Sequence, residues 1–539
     1  MHSSRRSIEI FIPLILIALF LSVTLPGIAW GAPNIWHPDE LVRQVGQALY
    51  GNYEFDEKNF DYPSLPKYTM YGLGKIIFAL DYSFTEFLIA ARTLSAVLGA
   101  LVVAITYVIA RLSGAGLWTG VLAAALVLTS SEMTDNARFA HNDMYVSFFV
   151  ILSVLGMLRY RLSGNRLWLY AAFFAVGLTA SSKYNGASLL LAVLVVYILD
   201  WKVLKSAGVL RNLETLAIGG ILVVLGYGLG TPKSLLWMAF YLKRAIPAIQ
   251  HHAIYGIQPD SLIGLFGQWA LWVRLLGMPV ALLFLAAFVW QLVRLVQFYT
   301  GKLAGERSQM ELRLVLLVSI LALDLPIMIS YNYQSRFFLP MIPLLAILSA
   351  LFASDLVSVF ARSRNLWMPR VIVGVVVAIL VVTFPRVISV ALLFKNDARI
   401  AASRFVQSLP AGTSIEYTLY PPSLPEDHFK STLLYPIFFK KYPEQVEPTS
   451  RFYQYNTGQA GLDQRQTDYF VVDSFTYGRF EDPFICASNQ VECDFFERLL
   501  AGETNYKLMA DFAYHLPWYL PQLKFAFINP EIRVYARQP

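Results

Sequence analysis

The sequence predicts a polytopic α-helical membrane protein of about 11 transmembrane helices, followed by a small extracytoplasmic α/β domain at the C-terminal end. Three observations carry this. Of 539 residues, 56% are apolar and only 15% are charged, with a mean hydropathy of +0.52; a soluble protein carries about 25% charged residues. Apolar runs long enough to cross a bilayer recur through the first three quarters of the chain. After about residue 395 the composition turns to Tyr, Phe, Pro and charge, and no such run follows.

The elements follow in order. Arg5 and Arg6 precede an apolar run from Ile8 to about Ile28, and Ala29-Trp30-Gly31 follows it. The run has a signal peptide's flanks, but its span-like length of about 20 residues favours a retained anchor. Further spans are expected near 84–111, 115–133, 141–158, 166–182, 185–201, 213–230, 267–293, 312–330, 337–359 and 368–393. With the N-terminus cytoplasmic, the inner loops collect Arg159, Arg161 and Arg166; Lys202, Lys205 and Arg211; Arg294, Lys302, Arg307 and Arg313; and Arg362, Arg364 and Arg370. The short outer loops hold single cations, Arg138, Lys183 and Arg336. This is the positive-inside distribution, and it accounts for the net charge of +7 without a nucleic-acid partner. Neither a glycine-rich phosphate loop nor a zinc-type Cys/His spacing occurs.

Two domains are expected: a transmembrane domain over 1–394, with long outer loops at 31–82 and 231–267, and an extracytoplasmic domain over 395–539. Within the first loop, Leu41–Tyr50 reads as a short amphipathic helix. In the second domain, Asp397–Ser408 reads as a helix ended by Pro410-Ala411-Gly412, and 413–419 and 468–473 read as strands. Cys486 and Cys493 are its two cysteines, and an oxidising compartment favours their disulfide over two free thiols.

The topology gathers polar groups on the outer face. Asp39 and Glu40 follow span one; Asn142 and Asp143 open span four; Lys183 and Tyr184 lie between spans five and six. His251 and His252 fall in the second long loop, and Arg336 between spans nine and ten, beside Tyr331 to Tyr333. Each also has a structural reading: acids cap helix N-termini, interfacial cations anchor spans, and loop histidines are solvated. Together they suit an anionic amphiphile, because a carboxylate can take a hydroxyl proton as general base and cations can hold a leaving phosphate.

The ordered motifs resemble the GT-C superfamily of integral-membrane glycosyltransferases, in particular the protein O-mannosyltransferase and aminoarabinose-transferase group. The carrying residues are His37-Pro38-Asp39-Glu40; Tyr62-Pro63 through Tyr68; Arg92-Thr93-Leu94-Ser95; Ala137 through Asp143; Ser181-Ser182-Lys183-Tyr184-Asn185-Gly186; Gly230-Thr231-Pro232 with Gln250-His251-His252 and Gly256; and Arg336-Phe337-Phe338-Leu339-Pro340 with Pro343. The resemblance implies inverting transfer of a sugar from a polyprenyl-phosphate donor to a hydroxyl acceptor on protein, lipid or polysaccharide, at the outer face of the plasma (inner) membrane. It makes Asp39 and Asp143 catalytic. It makes Glu40, Tyr62, Lys67, Asn142, Lys183, Tyr184, His251, His252 and Arg336 candidates for substrate contact. Some relatives carry Lys where Tyr62 stands, and Lys67 is displaced from that position. The oligosaccharyltransferase branch uses a divalent metal on its acidic motifs; no cofactor is expected to be required here. A transporter or flippase of lipid-linked sugars is the rival reading, but the acids sit at span ends and no internal repeat appears. A membrane-anchored receptor would not need the multi-span body.

Overall fold

The computed structural model describes residues 2–49, 59–112, 115–200, 205, 208–254, 265–303, 307–328, 334–362, 367–435, 458–487 and 489–538. They form two compact units: residues 1–28 with 39–390, and residues 29–38 with 391–539.

The first unit is helical. It contains α1 (His2–Thr24), α2 (Val42–Leu49), α3 (Leu65–Ala79), α4 (Phe84–Leu112), α5 (Leu117–Leu128), α6 (Ser131–Asn136), α7 (Asp143–Ser163), α8 (Arg166–Ser182), α9 (Leu189–Ile198), α10 (Val209–Gly230), α11 (Lys233–Leu236) and α12 (Met238–Ile254). Then come α13 (Leu265–Leu276), α14 (Met278–Tyr299), α15 (Arg307–Met328), α16 (Ile342–Arg362) and α17 (Met368–Lys395), the last running on into the second unit. Among the described residues, six helical segments are long and apolar enough to cross a membrane, and three shorter apolar helices accompany them. α10 and α17 carry their apolar side chains outward, as at Ile221, Leu229, Val373 and Val381, as lipid-facing helices do.

Three expectations are corrected. The span expected over 267–293 is two helices broken at Gly277, whose φ of +81° is a left-handed conformation that glycine accepts freely. The span expected over 115–133 stops at Leu128, and Ser130 starts the separate turn α6 by accepting a hydrogen bond from Met133 N. The loop expected over 31–82 contains α3 as well as the anticipated α2; Pro66 at the start of α3 fits the first helical turn, where its missing N–H costs nothing.

Close helix contact rests on small residues. A Cβ on Gly177 of α8 would lie 2.2 Å from Val223 O of α10, and one on Gly226 would lie 2.4 Å from Phe174 O. Such backbone approach is the usual basis of helix association in lipid. Buried charge is paired: Arg313 of α15 grips Asp355 of α16 at 2.8 and 2.9 Å and also reaches Gln291 of α14 at 2.5 Å.

The second unit is α/β. α18 (Ala398–Gln407) is capped by Asp397, which accepts from Arg399 N at 2.9 Å. Strands β1 (Ser414–Tyr417), β2 (Ser431–Leu434), β3 (Tyr469–Asp473), β4 (Tyr506–Phe512) and β5 (Ile532–Arg537) form one sheet in the order β2-β1-β3-β5-β4. β1 runs parallel to β2 and β3, while β5 is antiparallel to β3 and β4. β3 shows why the sheet is buried on both faces: Phe470 and Val472 enter one core with Phe495 and Tyr506, and Val471 enters another with Ile415, Ala402 and Val534. Cys486 and Cys493 are joined in a disulfide with Cα atoms 5.6 Å apart.

The segment 29–38 was expected in the membrane domain, yet it belongs to this second unit. Trp30 Nε1 donates to Asp397 Oδ2 at 2.9 Å, and the Arg399 guanidinium lies 4.9 and 4.5 Å from the Trp30 and Trp36 ring centres. These are cation–π distances, and Asp397 holds the guanidinium in place with bonds of 3.0 and 2.8 Å.

Candidate active site

The site is built from four segments of the first unit. The segment starting at Asp39 is fastened to the turn before α7: Leu41 N donates to Ala140 O at 3.0 Å, and Ala140 N donates to Glu40 Oε1 at 2.9 Å. Glu40 is completed by Arg92 of α4, whose Nε and Nη2 each donate at 2.8 Å. Both side chains of that pair are fully buried. Glu40, expected among the substrate contacts, ties this loop to Arg92 and Ala140.

Asp39 is left pointing elsewhere. Its Oδ2 accepts from Arg336 Nη2 at 2.8 Å, and its side chain is 31% exposed. Arg336 stands second in the 3₁₀ turn Ser335–Met341, and its Nε donates to Gln334 Oε1 at 2.6 Å.

Asp143 opens α7, where a carboxylate also meets the positive helix end. Its Oδ1 accepts from Lys183 Nζ at 2.6 Å and its Oδ2 contacts His141 Nδ1 at 2.7 Å. Asn142 Nδ2 donates to Ser182 O at 3.1 Å, tying the start of α7 to the end of α8. Lys183 follows α8 in an extended conformation before the turn Tyr184–Ser188, which throws its side chain toward Asp143. Asp143 is 1% exposed, so of the two expected catalytic carboxylates only Asp39 opens outward.

The two ion pairs meet at the 3₁₀ turn: Lys183 Nζ sits 4.4 Å from the ring centre of Phe337, the residue after Arg336. Tyr62 packs edge-on to His141 with ring centres 5.1 Å apart. Burial pushes the Tyr62 phenol up to about 12; nearby Arg336 opposes this, and Asp39 and Asp143 reinforce it. Burial also drives the His141 imidazole below its ordinary value, against the pull of Asp143.

Lys67 and Tyr184 serve the loop beneath Tyr62. Lys67 Nζ donates to Asn59 O and Tyr184 OH to Phe60 O, each at 2.8 Å. Lys67 is 1% exposed and braces this loop. The backbones of His251 and His252 lie in the last turn of α12, while their side chains, like residues 331–333, lie outside the described residues.

Sequence reasoning did not single out Glu132, Asp135 or Ser335. Glu132 looked like the end of a span, and the signal available was a second acidic pair, Glu132 and Asp135, eight residues before Asp143 at its nearer member. Among the described residues, no three His, Cys, Asp or Glu side chains group as a metal site. Asp143 has a nitrogen of Lys183 or His141 against each oxygen, and Asp39 Oδ2 has Arg336.

Solved structures share this architecture. ArnT from Cupriavidus metallidurans bound to undecaprenyl phosphate superposes with a TM-score of 0.52 at 13% identity, over 99% of this chain and 98% of that one. The archaeal oligosaccharyltransferase AglB from Archaeoglobus fulgidus, in complex with an inhibitory peptide and a dolichol-phosphate, gives 0.51 at 12% identity, over 96% and 75%. The chain has the GT-C fold. Its six apolar helical segments of spanning length among the described residues make it a membrane-embedded, multi-pass protein. The family model described as dolichyl-phosphate-mannose-protein mannosyltransferase matches residues 70–225. Dolichyl-phosphate-mannose--protein mannosyltransferase 1 of Saccharomyces cerevisiae is 25% identical over 242 residues, 42% of this chain. The matched part spans 29% of the yeast protein's length.

Proposed function

We propose that this GT-C protein is a glycosyltransferase that moves a sugar from a polyprenyl-phosphate donor to a hydroxyl acceptor at the outer face of the plasma membrane. The observation that carries the reading is the partly exposed Asp39 carboxylate held by Arg336, beside the buried Lys183–Asp143–His141 chain. The match to a dolichyl-phosphate-mannose-dependent family over 70–225 supports a lipid-phosphate donor, as do the undecaprenyl phosphate and dolichol-phosphate in the ArnT and AglB structures.

In this reading Asp39 accepts the acceptor's hydroxyl proton. The freed oxygen bonds to the sugar's anomeric carbon as the bond from that carbon to the phosphate oxygen breaks, and polyprenyl phosphate departs with both electrons. Attack opposite the leaving group inverts the anomeric centre. Arg336 holds Asp39 in place at 2.8 Å and offers its remaining N–H groups to the phosphate, where a guanidinium fork suits planar arrays of oxygens. Lys183 adds a second positive charge, kept in register by Asp143. The prenyl chain stays in lipid against the outward apolar helices. No step runs through a metal, because the carboxylates already face cations.

The test is transfer of label from dolichyl-phosphate-linked and undecaprenyl-phosphate-linked sugars by the full chain in detergent micelles with added membrane acceptors. Wild type is expected to label acceptor and release polyprenyl phosphate. Lipid-linked sugar that crosses a vesicle bilayer without product would instead support the flippase.

A further inference from the structure

Glu132 takes no part in the chemistry above, yet it touches the turn that carries Arg336. It lies on α6 and is 3% exposed. Ser335 Oγ donates to its Oε1 at 2.9 Å, and Asn136, one turn along the helix, donates to the same oxygen at 3.3 Å. Ser335 is the first residue of the 3₁₀ turn, and Arg336, the next, reaches Asp39 at 2.8 Å. The chain of contacts therefore runs from Glu132 to Ser335, across one peptide bond to Arg336, and on to Asp39.

α6 is a firm base for such contact. Ser130 Oγ caps its start at 3.4 Å, and Ser131 Oγ donates to Leu275 O at 3.1 Å. At its far end Arg138 Nη1 donates to Thr134 O at 2.5 Å, while its other nitrogens bind Pro26 O and Val23 O at 3.2 and 2.5 Å. Arg336 thus sits on a short turn whose entry is fixed by a side chain from a separately anchored element. Within its short helix, Glu132 also serves as a first-turn acid, but that role needs no contact with Ser335. Burying a carboxylate costs free energy that Gln or an apolar residue would avoid. A buried carboxylate does, however, accept a hydroxyl proton in a bond roughly twice as strong as a neutral one.

We infer that Glu132 is a positioning residue: by holding Ser335 it fixes the turn that aims Arg336 at Asp39. The inference rests on the glycosyltransferase reading. Around Glu132 the charged groups are Asp135 on its own helix, Asp143 of α7 and Arg386 of α17. Burial, chiefly, pushes the Glu132 carboxyl up to about 7, against the hydrogen bonds from Ser335 and Asn136.

The experiment is a double-mutant cycle on the full chain in detergent micelles, with dolichyl-phosphate mannose as donor probe and thermal unfolding of each variant as the check on folding. Glu132→Gln keeps the shape and removes the charge; Ser335→Ala removes the hydroxyl. Each alone is expected to lower kcat by between about ten- and a hundredfold, the scale of a displaced catalytic group. In an Arg336→Lys background the same substitutions are expected to cost less than about twofold, because residues acting through one partner are not additive. Wild-type kcat is also expected to fall as pH drops through about 7, where Glu132 becomes protonated, and that limb is expected to vanish in Glu132→Gln. Full-sized losses in the Arg336→Lys background, or an unchanged acid limb in Glu132→Gln, overturn the inference while the transfer reading stands. A wild type that transfers no sugar from any polyprenyl-phosphate donor overturns that reading, and the inference with it.

Discussion

Asp39 and Glu40 are adjacent acids that meet different cations. Glu40 meets Arg92 with both side chains at zero exposure, and each partner is satisfied by further contacts to Ala140 N and Ile28 O. Removing one member of such a pair leaves an uncompensated buried charge, at a cost of about 3–5 kcal/mol. Glu40→Gln is therefore expected to lower the thermal unfolding midpoint markedly, or to abolish accumulation of folded protein. Asp39→Asn, at a half-open site, is expected to leave that midpoint within a few degrees of wild type. Differential scanning fluorimetry in detergent checks both; a Glu40→Gln protein as stable as wild type would remove Glu40 from the scaffold. The motif resemblance gave Asp39 a catalytic role and Glu40 a substrate contact, but the partner of Glu40 was not legible, since Arg92 lies 52 positions from it along the chain.

Among the elements, helices with strong apolar patterns were legible and their interruptions were not. α4, α7, α8 and α10 begin and end near their expected limits because each combines a long apolar run with polar or glycine ends. The break at Gly277 was hidden because apolar residues flank it on both sides, so hydropathy continues while the backbone turns. The strands at 414–417 and 469–473 were read correctly from their apolar runs, whereas β4 and β5 were not, since β4 has exposed Leu508 and Met509 and offers no clear alternation. The contact of α8 with α10 gives an element-scale prediction. A methyl at Gly177 meets backbone oxygen rather than a yielding side chain, so Gly177→Ala must spread two helices. Overpacking of this kind costs about 1–3 kcal/mol. A lowered unfolding midpoint is expected; an unchanged one would mean that the two helices do not pack so closely.

At the scale of the whole molecule, the polar groups of the site come from segments that begin at residue 39 and end near residue 337, and only the folded helical unit brings them together. The sequence analysis grouped Asp39, Asp143, Lys183 and Arg336, and the four do share one locus. Their pairing was not legible, because any of the cations could have served either acid. That pairing also bears on metal dependence. With Lys183 on Asp143 and Arg336 on Asp39, each carboxylate already has a counter-charge. Transfer is accordingly expected to proceed at an undiminished rate in excess EDTA, and a chelator-sensitive rate restored by Mg²⁺ or Mn²⁺ would require these ion pairs to open.

In the proposed transfer from a lipid phosphate, Asp39 is the base. This role is tested most directly by the transfer rate of full-length Asp39→Asn against wild type, with donor saturating and folding verified by thermal unfolding. Removal of a general base lowers rates by about 10²–10⁴-fold. A loss in kcat of that size is expected, with little change in the donor's KM. A folded Asp39→Asn enzyme that transfers sugar as fast as wild type would contradict it.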